Sequence, residues 1–167
     1  NGPARELAYG GLFGAAAMAL PSLFHILHLG HFLMPMYLPL MAVTFFVAPR
    51  IAALVGFLIP ILSAILTGMP PLFPPVALVM AVEIGLMAGS LSLLRRRFPS
   101  FPVLGHVIPV LLGGRILNTA LLFAASRMLS LPAAFVAGIS LVSGGSGVLL
   151  MIVVLPVIAR VRNTTDE

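Results

Sequence analysis

Residues 103–126, VLGHVIPVLLGGRILNTALLFAAS, constrain this chain more than any other stretch. They are almost all apolar, and about 24 residues of helix are enough to cross a bilayer core of roughly 30 Å. Arg115 sits at the middle, with Gly113 and Gly114 just before it and Asn118 one turn later. A guanidinium in hydrocarbon costs about 2.5–3.5 kcal/mol even on the mildest scale, so it must face protein or a water-filled space. One other charge lies deep in an apolar segment, Glu83.

The rest of the composition agrees with lipid as the solvent. Hydrophobic residues make up 60% of the 167-residue chain and charged residues only 8%, against roughly 25% charged in soluble domains. The chain therefore reads as an all-α, polytopic membrane protein forming one domain over residues 1–167. It contains no cysteine, which excludes disulfides and thiolate metal sites. Every basic residue is arginine, and the net charge is +5. The arginines fall at segment ends, so membrane topology accounts for them and a nucleic-acid partner is not expected.

Six spans are expected, over about 6–28, 32–48, 51–66, 76–94, 103–126 and 133–159. The first is too long and evenly apolar for a signal peptide. In it Gly10, Gly14 and Met18, and beside them Gly11, Ala15 and Ala19, repeat every four residues, a spacing that lets another helix approach closely. The second carries Pro35 and Pro39 in its first turns, where a missing N–H matters least. Between the third and fourth lies 67–75, TGMPPLFPP, whose four prolines and one glycine forbid a regular helix. That stiff segment bears apolar Met69, Leu72 and Phe73 and fits a preformed cap.

With six spans and a cytoplasmic N-terminus, Arg5, Arg50, Arg95, Arg96, Arg97, Arg160 and Arg162 lie inside and Arg127 alone outside. This strong positive-inside bias sets the direction and places both termini in the cytoplasm. The proline segment and the cluster His25, His28 and His31 then face outward.

Depth counting links the two buried charges. Glu83 lies twelve residues before Arg95 at the inner end of the fourth span, and Arg115 twelve residues after Val103 at the inner start of the fifth. At 1.5 Å per residue both sit about 18 Å from the inner face. They form a structural ion pair, or they point into a cavity with Asn118 and bind a polar solute.

Other residues carry competing readings. His25, His28 and His31 form either a nickel- or cobalt-binding cluster or a set of interfacial histidines. Gly144-Gly145-Ser146-Gly147 matches the short GxSG pattern of rhomboid-type intramembrane proteases. No histidine follows Ser146 to serve as its base, so close helix packing is the expected role of this run. No phosphate-cradling glycine loop is present, so ATP hydrolysis is not expected of this chain.

Three blocks carry a family resemblance: LPSLFHILHLGHFLMPMYLPLMAVTFF (residues 20–46), PRIAALVGFLIPILSAILTGMPPLFP (residues 49–74) and GGRILN (residues 113–118). They resemble the substrate-binding S component of energy-coupling factor (ECF) transporters. The resemblance covers the first five helices, and the block ending in TGMPPLFP is its most specific part. It implies a six-helix, non-enzymatic, cofactor-free subunit of the bacterial or archaeal cytoplasmic membrane that captures a vitamin or related micronutrient from outside. Its partners would be a transmembrane coupling subunit and two cytoplasmic ATPases. Carried over, His31, Met69, Leu72, Phe73, Glu83, Arg115, Asn118 and Ser143 would form or cap the substrate pocket. Gly10, Gly14, Ala15 and Ala19 would dock on the coupling subunit. The chain lacks the tryptophan that thiamine-binding members stack on their ligand.

Overall fold

The computed structural model describes residues 2–26, 35–130 and 145–165. Its elements are α1 (Pro3–Ile26), α2 (Tyr37–Ala42) running into a 3₁₀ turn (Val43–Phe45), α3 (Pro49–Thr67), α4 (Val76–Arg97), α5 (Val103–Met128) and α6 (Gly145–Thr165). No strand occurs among the described residues. Of these helices, α3, α4, α5 and the stretch Gly145–Arg162 of α6 are long and apolar enough to cross a bilayer. The protein is thus a membrane-embedded, multi-pass helical bundle.

The surface explains why lipid is the solvent. Leu54, Leu58 and Leu62 on α3, Leu104, Ile108, Leu112 and Ile116 on α5, and Leu149, Val153, Val157 and Val161 on α6 are all exposed. Residues four apart share one helical face, so each helix turns an apolar stripe outward. Exposed apolar surface on this scale is untenable in water.

Helix α4 is the hub of the interior, packing on α2, α3 and α5. Its approach to α3 depends on glycine. A methyl group built on Gly56 would lie 2.9 Å from the Ile84 carbonyl oxygen, and one on Gly85 3.2 Å from the Ala53 carbonyl oxygen. With no Cβ at either position the two backbones touch, as small residues allow between membrane helices. On the opposite side Gly114 of α5 makes room for the Met87 thioether of α4.

Local sequence sets the helix ends. Ala48 is extended and Pro49 opens α3 at a position where no N–H is needed. At the other end Gly68 adopts φ 74°, and its N–H bonds the Ala64 carbonyl at 3.0 Å, a left-handed stop that glycine takes without strain. Two cis peptide bonds follow, Met69–Pro70 and Phe73–Pro74.

The second expected span departs most from its sequence reading. Instead of a helix over 32–48, the described residues hold six residues of α-helix and a 3₁₀ turn. Pro39 lies in the middle of α2 and supplies no N–H, and the Thr44 hydroxyl takes the Met41 carbonyl at 2.7 Å. The backbone beyond the turn is bonded by side chains of other helices. The Ser92 hydroxyl donates to the Val47 carbonyl at 3.0 Å, and the Ala48 N–H donates to Glu6 at 2.9 Å. Leu40, Met41, Val43, Phe45 and Val47 are almost fully buried, so this segment is a central plug and not a lipid-facing rod.

The other boundaries shift by a few residues. Helix α4 continues through Arg95, Arg96 and Arg97, which sit in its last turn, where cations favour the negative end of the helix dipole. Helix α6 runs on to Thr165; the expected start of that span, residues 133–144, lies outside the described residues. Pro3 of α1, Pro49 of α3, Arg97 of α4, Val103 of α5 and Arg162 of α6 all mark the end of the bundle where arginines gather. Direct contacts anchor that arrangement: Glu6 pairs with Arg96, and Glu6, Arg96 and Arg162 line one cavity.

Candidate functional site

Glu83 on α4 is fully buried, with 0% of its surface exposed. Ionised carboxylates are held in such places only by partners that satisfy their lone pairs. Helix α5 brings two of these partners on one face, Arg115 and Asn118, three residues apart. Helix α2 supplies the third, Tyr37, at its first residue.

The geometry is a closed clasp. The Arg115 guanidinium donates to Glu83 Oε1 and forms a salt bridge with it. Glu83 Oε2 accepts the Tyr37 hydroxyl at 2.5 Å and the Asn118 amide at 2.6 Å. Arg115 Nη2 also donates to the Tyr37 oxygen at 3.0 Å, and the guanidinium carbon stands 5.1 Å from the Tyr37 ring centroid. Tyr37 therefore donates once and accepts once. One positive and one negative charge cancel inside a ring of four side chains from three helices. Among the described residues no buried side-chain nitrogen or oxygen lacks a partner.

This arrangement joins helices. Charge-assisted bonds in a low-dielectric interior are strong and directional, so the clasp fixes the rotation of α4 and α5 against the α2 plug. The pairing of Glu83 with Arg115 is the structural ion pair that depth counting allowed; Asn118, expected to line a cavity beside them, donates to Glu83. In this conformation both Glu83 oxygens and the Tyr37 hydroxyl are bonded within the cluster.

Tyr37 was missed by sequence reasoning, yet a signal exists. It lies twelve residues before Pro49, the arginine-side start of α3, the same count that relates Glu83 to Arg95 and Arg115 to Val103. A phenol at matching depth in an apolar segment is a natural third partner for an ion pair.

The other expected site residues that the structure describes lie on separate segments of the chain. Met69, Leu72 and Phe73 occupy the proline segment, and Phe73 is 73% exposed. The segment is pinned at its start, where the Ser63 hydroxyl donates to the Met69 carbonyl at 2.7 Å and Thr67 Oγ1 donates to the Ser63 carbonyl at 2.7 Å. At its end the Ala77 N–H donates to the Pro71 carbonyl at 3.0 Å. His28, His31 and Ser143 lie outside the described residues, as does the side chain of His25. Ser146 is exposed in the first turn of α6.

The small-residue face of α1 is divided. Gly10 and Gly14 are buried against α3 of the same chain: a methyl group on Gly10 would lie 3.1 Å from Val55, and one on Gly14 2.7 Å from Ile59. Ala15 and Ala19 are exposed, and nothing lies within 4 Å of a methyl group built on Gly11. The close approach expected at Gly10 and Gly14 is thus made by an intramolecular helix.

A cavity of about 380 Å³ lies at the arginine-bearing end of the bundle. No protein-family profile, curated protein or solved structure matches this chain.

Proposed function

We propose that this chain is a solute-binding membrane subunit, the S component of an ECF-type importer, which captures a vitamin or related micronutrient from outside the cell. The observation that carries this reading is the buried Tyr37–Glu83–Arg115–Asn118 clasp at mid-depth of an apolar bundle. Charge at that depth is costly, and where it persists it marks a functional polar interior. The resemblance of residues 49–74 and 113–118 to S components gives that interior its proposed role.

In this reading the chain crosses a bacterial or archaeal cytoplasmic membrane six times, with both termini inside. Arg5, Arg50, Arg95–Arg97, Arg160 and Arg162 then lie on the cytoplasmic side, in keeping with the positive-inside rule. The clasp forms the floor of an outward pocket and holds α4 and α5 at a fixed rotation. Asn118, one turn outward of Arg115, stands closest to the solute. The exposed Met69, Leu72 and Phe73 of the proline segment close over the pocket once it is filled, and His31 and Ser143 contribute contacts. Because α3 covers Gly10 and Gly14, docking on the coupling subunit falls to the exposed side of α1 bearing Ala15 and Ala19. The cytoplasmic ATPases of the partner module supply the energy.

Native mass spectrometry of the freshly purified chain, followed by calorimetry with cobalamin, pantothenate, riboflavin, folate, pyridoxine and niacin, tests this reading. One retained or tightly bound compound is expected, with affinity reduced at least tenfold by Asn118→Ala. Absence of binding across the panel by a folded protein would overturn it.

A further inference from the structure

The clasp is complete toward Glu83 and unfinished on its other side. Both protons of Arg115 Nη2 are engaged inside it, one by Glu83 Oε1 and one by the Tyr37 oxygen. Arg115 Nε and Nη1 donate to no acceptor among the described residues. Asn118 gives its amide nitrogen to Glu83 Oε2, and its Oδ1 receives no donor among the described residues. No fully buried side-chain nitrogen or oxygen there lacks a partner, so these three atoms are where the clasp still meets accessible space. Arg115 keeps 9% of its side chain exposed and Glu83 none. The ion pair is sealed behind the guanidinium, and the far edge of the guanidinium is not.

Open donors and an open acceptor at mid-depth cannot face lipid, because hydrocarbon offers them no partner. They border a polar space, and in the solute-binding reading that space is the pocket. Arg115 and Asn118 share one face of α5 and bond the two oxygens of one carboxylate, so one small molecule can span the free guanidinium edge and Asn118 Oδ1. Charge then narrows what the molecule can be. Residues 7–49, 51–94, 98–126 and 128–159 contain no Asp, Glu, Lys or Arg besides Glu83 and Arg115, and those two already pair. A solute carboxylate would bring an unmatched negative charge into an apolar interior. It would also set its lone pairs against Asn118 Oδ1. A neutral amide does neither, since its C=O accepts from Arg115 and its N–H donates to Asn118.

We infer that the group recognised at the clasp is an uncharged amide edge, a C=O and an N–H carried together, and not a carboxylate. The inference rests on the solute-binding reading above and names the substrate class of that site. Glu83 neutralises Arg115, and the planar guanidinium reads a carbonyl through its second edge.

Calorimetry on the full chain in neutral detergent tests this with matched compounds: nicotinamide against nicotinate, pterin against p-aminobenzoylglutamate, and riboflavin against its analogue methylated on the imide nitrogen. An amide-bearing member should bind, and its counterpart should bind about a hundredfold more weakly, because a site built for a hydrogen bond rejects the analogue that cannot make it. Arg115→Lys keeps one positive charge beside Glu83 and lacks the Nε and Nη1 donors. With its thermal midpoint showing a folded protein, it should lose about tenfold in affinity for the amide. Tyr37→Phe removes a bond of the clasp away from the open edge and should change affinity by less than about twofold. Equal or tighter binding of a carboxylate counterpart would overturn the amide assignment and leave the carrier reading standing. Unchanged affinity in a folded Arg115→Lys protein, or an equal loss in Tyr37→Phe, would also overturn it. Binding of no compound by a folded protein would overturn both readings.

Discussion

At mid-depth, Tyr37, Glu83, Arg115 and Asn118 share one positive and one negative charge, and none of their fully buried polar atoms lacks a partner. At the arginine-bearing end, Glu6 faces Arg95, Arg96 and Arg162, and the groups line an open volume. Depth decides the difference. In hydrocarbon an unmatched charge costs several kcal/mol, so the inner cluster must be neutral and closed. At the boundary water screens charge, so arginines can gather there without the close matching that the interior demands. The two regions should therefore answer mutation differently: the first with a large loss of stability, the second with a small, salt-dependent one.

The largest effect should come from breaking the clasp on one side. Arg115→Leu leaves Glu83 charged, fully buried and without its cation, which costs about 3–5 kcal/mol in comparable buried pairs. Denaturation in mixed micelles should register that loss. The double change Glu83→Leu/Arg115→Leu removes both charges and should recover at least half of it. If the single and double variants were equally unstable, the ion pair would not be what holds α4 to α5.

A second test separates the polar clasp from the apolar contact that α4 makes on its other side. Gly56→Ala places a methyl group 2.9 Å from the Ile84 carbonyl oxygen, and a helix backbone cannot yield as a side chain can. A loss of about 1–3 kcal/mol is expected from overpacking. Gly113→Ala meets nothing within 4 Å and should be neutral or stabilising, since alanine favours a helix over glycine by up to about 1 kcal/mol. Equal losses at both glycines would refute the close α3–α4 approach.

These contrasts show what could be read along the chain. The hydrocarbon cost of a charge made Glu83 and Arg115 conspicuous, and the helical rise per residue placed them at one depth. Tyr37 carries no such penalty and looks like any aromatic residue in an apolar run, so only its depth could have given it away. The second span misled because its hydrophobicity was genuine while its helical bonding, among the described residues, is confined to a short α-helix and a 3₁₀ turn. Pro39 removes a donor, Thr44 takes a carbonyl, and Ser92 and Glu6 bond backbone groups beyond the turn; two of those four lie far away in sequence. Spacing also announced that Gly10 and Gly14 would meet a helix. It could not say that the helix would be α3 of the same chain, because periodicity fixes a face and not its occupant.

Removing one bond from the clasp while leaving its charges intact should cost less than either change above. Tyr37→Phe keeps the ring against Arg115 and deletes the hydroxyl bonded to Glu83 Oε2 and Arg115 Nη2. Asn118 still serves Oε2 and Arg115 still serves Oε1. The expected loss is about 1 kcal/mol, that of a single buried hydrogen bond with its partners otherwise satisfied. A loss as large as that of Arg115→Leu would mean that the phenol, and not the guanidinium, is the keystone of the cluster.

The smallest effect belongs to the arginine-bearing end. Arg96 is 54% exposed at its side chain, and its 3.8 Å contact with Glu6 is long for an ion pair. Exposed pairs of this kind contribute about 0–1 kcal/mol and fade as salt screens them. Arg96→Gln should therefore move the denaturation midpoint little at low salt and not at all in 1 M sodium chloride, where the screening length is about 3 Å. Glu6 keeps its bond to the Ala48 N–H in that variant, so the start of α3 stays anchored. The Glu83–Arg115 pair, shielded from ions, should give the same loss on mutation at either salt concentration. A strong salt dependence there would mean that water reaches the clasp, and the closed, neutral interior argued for Tyr37, Glu83, Arg115 and Asn118 would have to be abandoned.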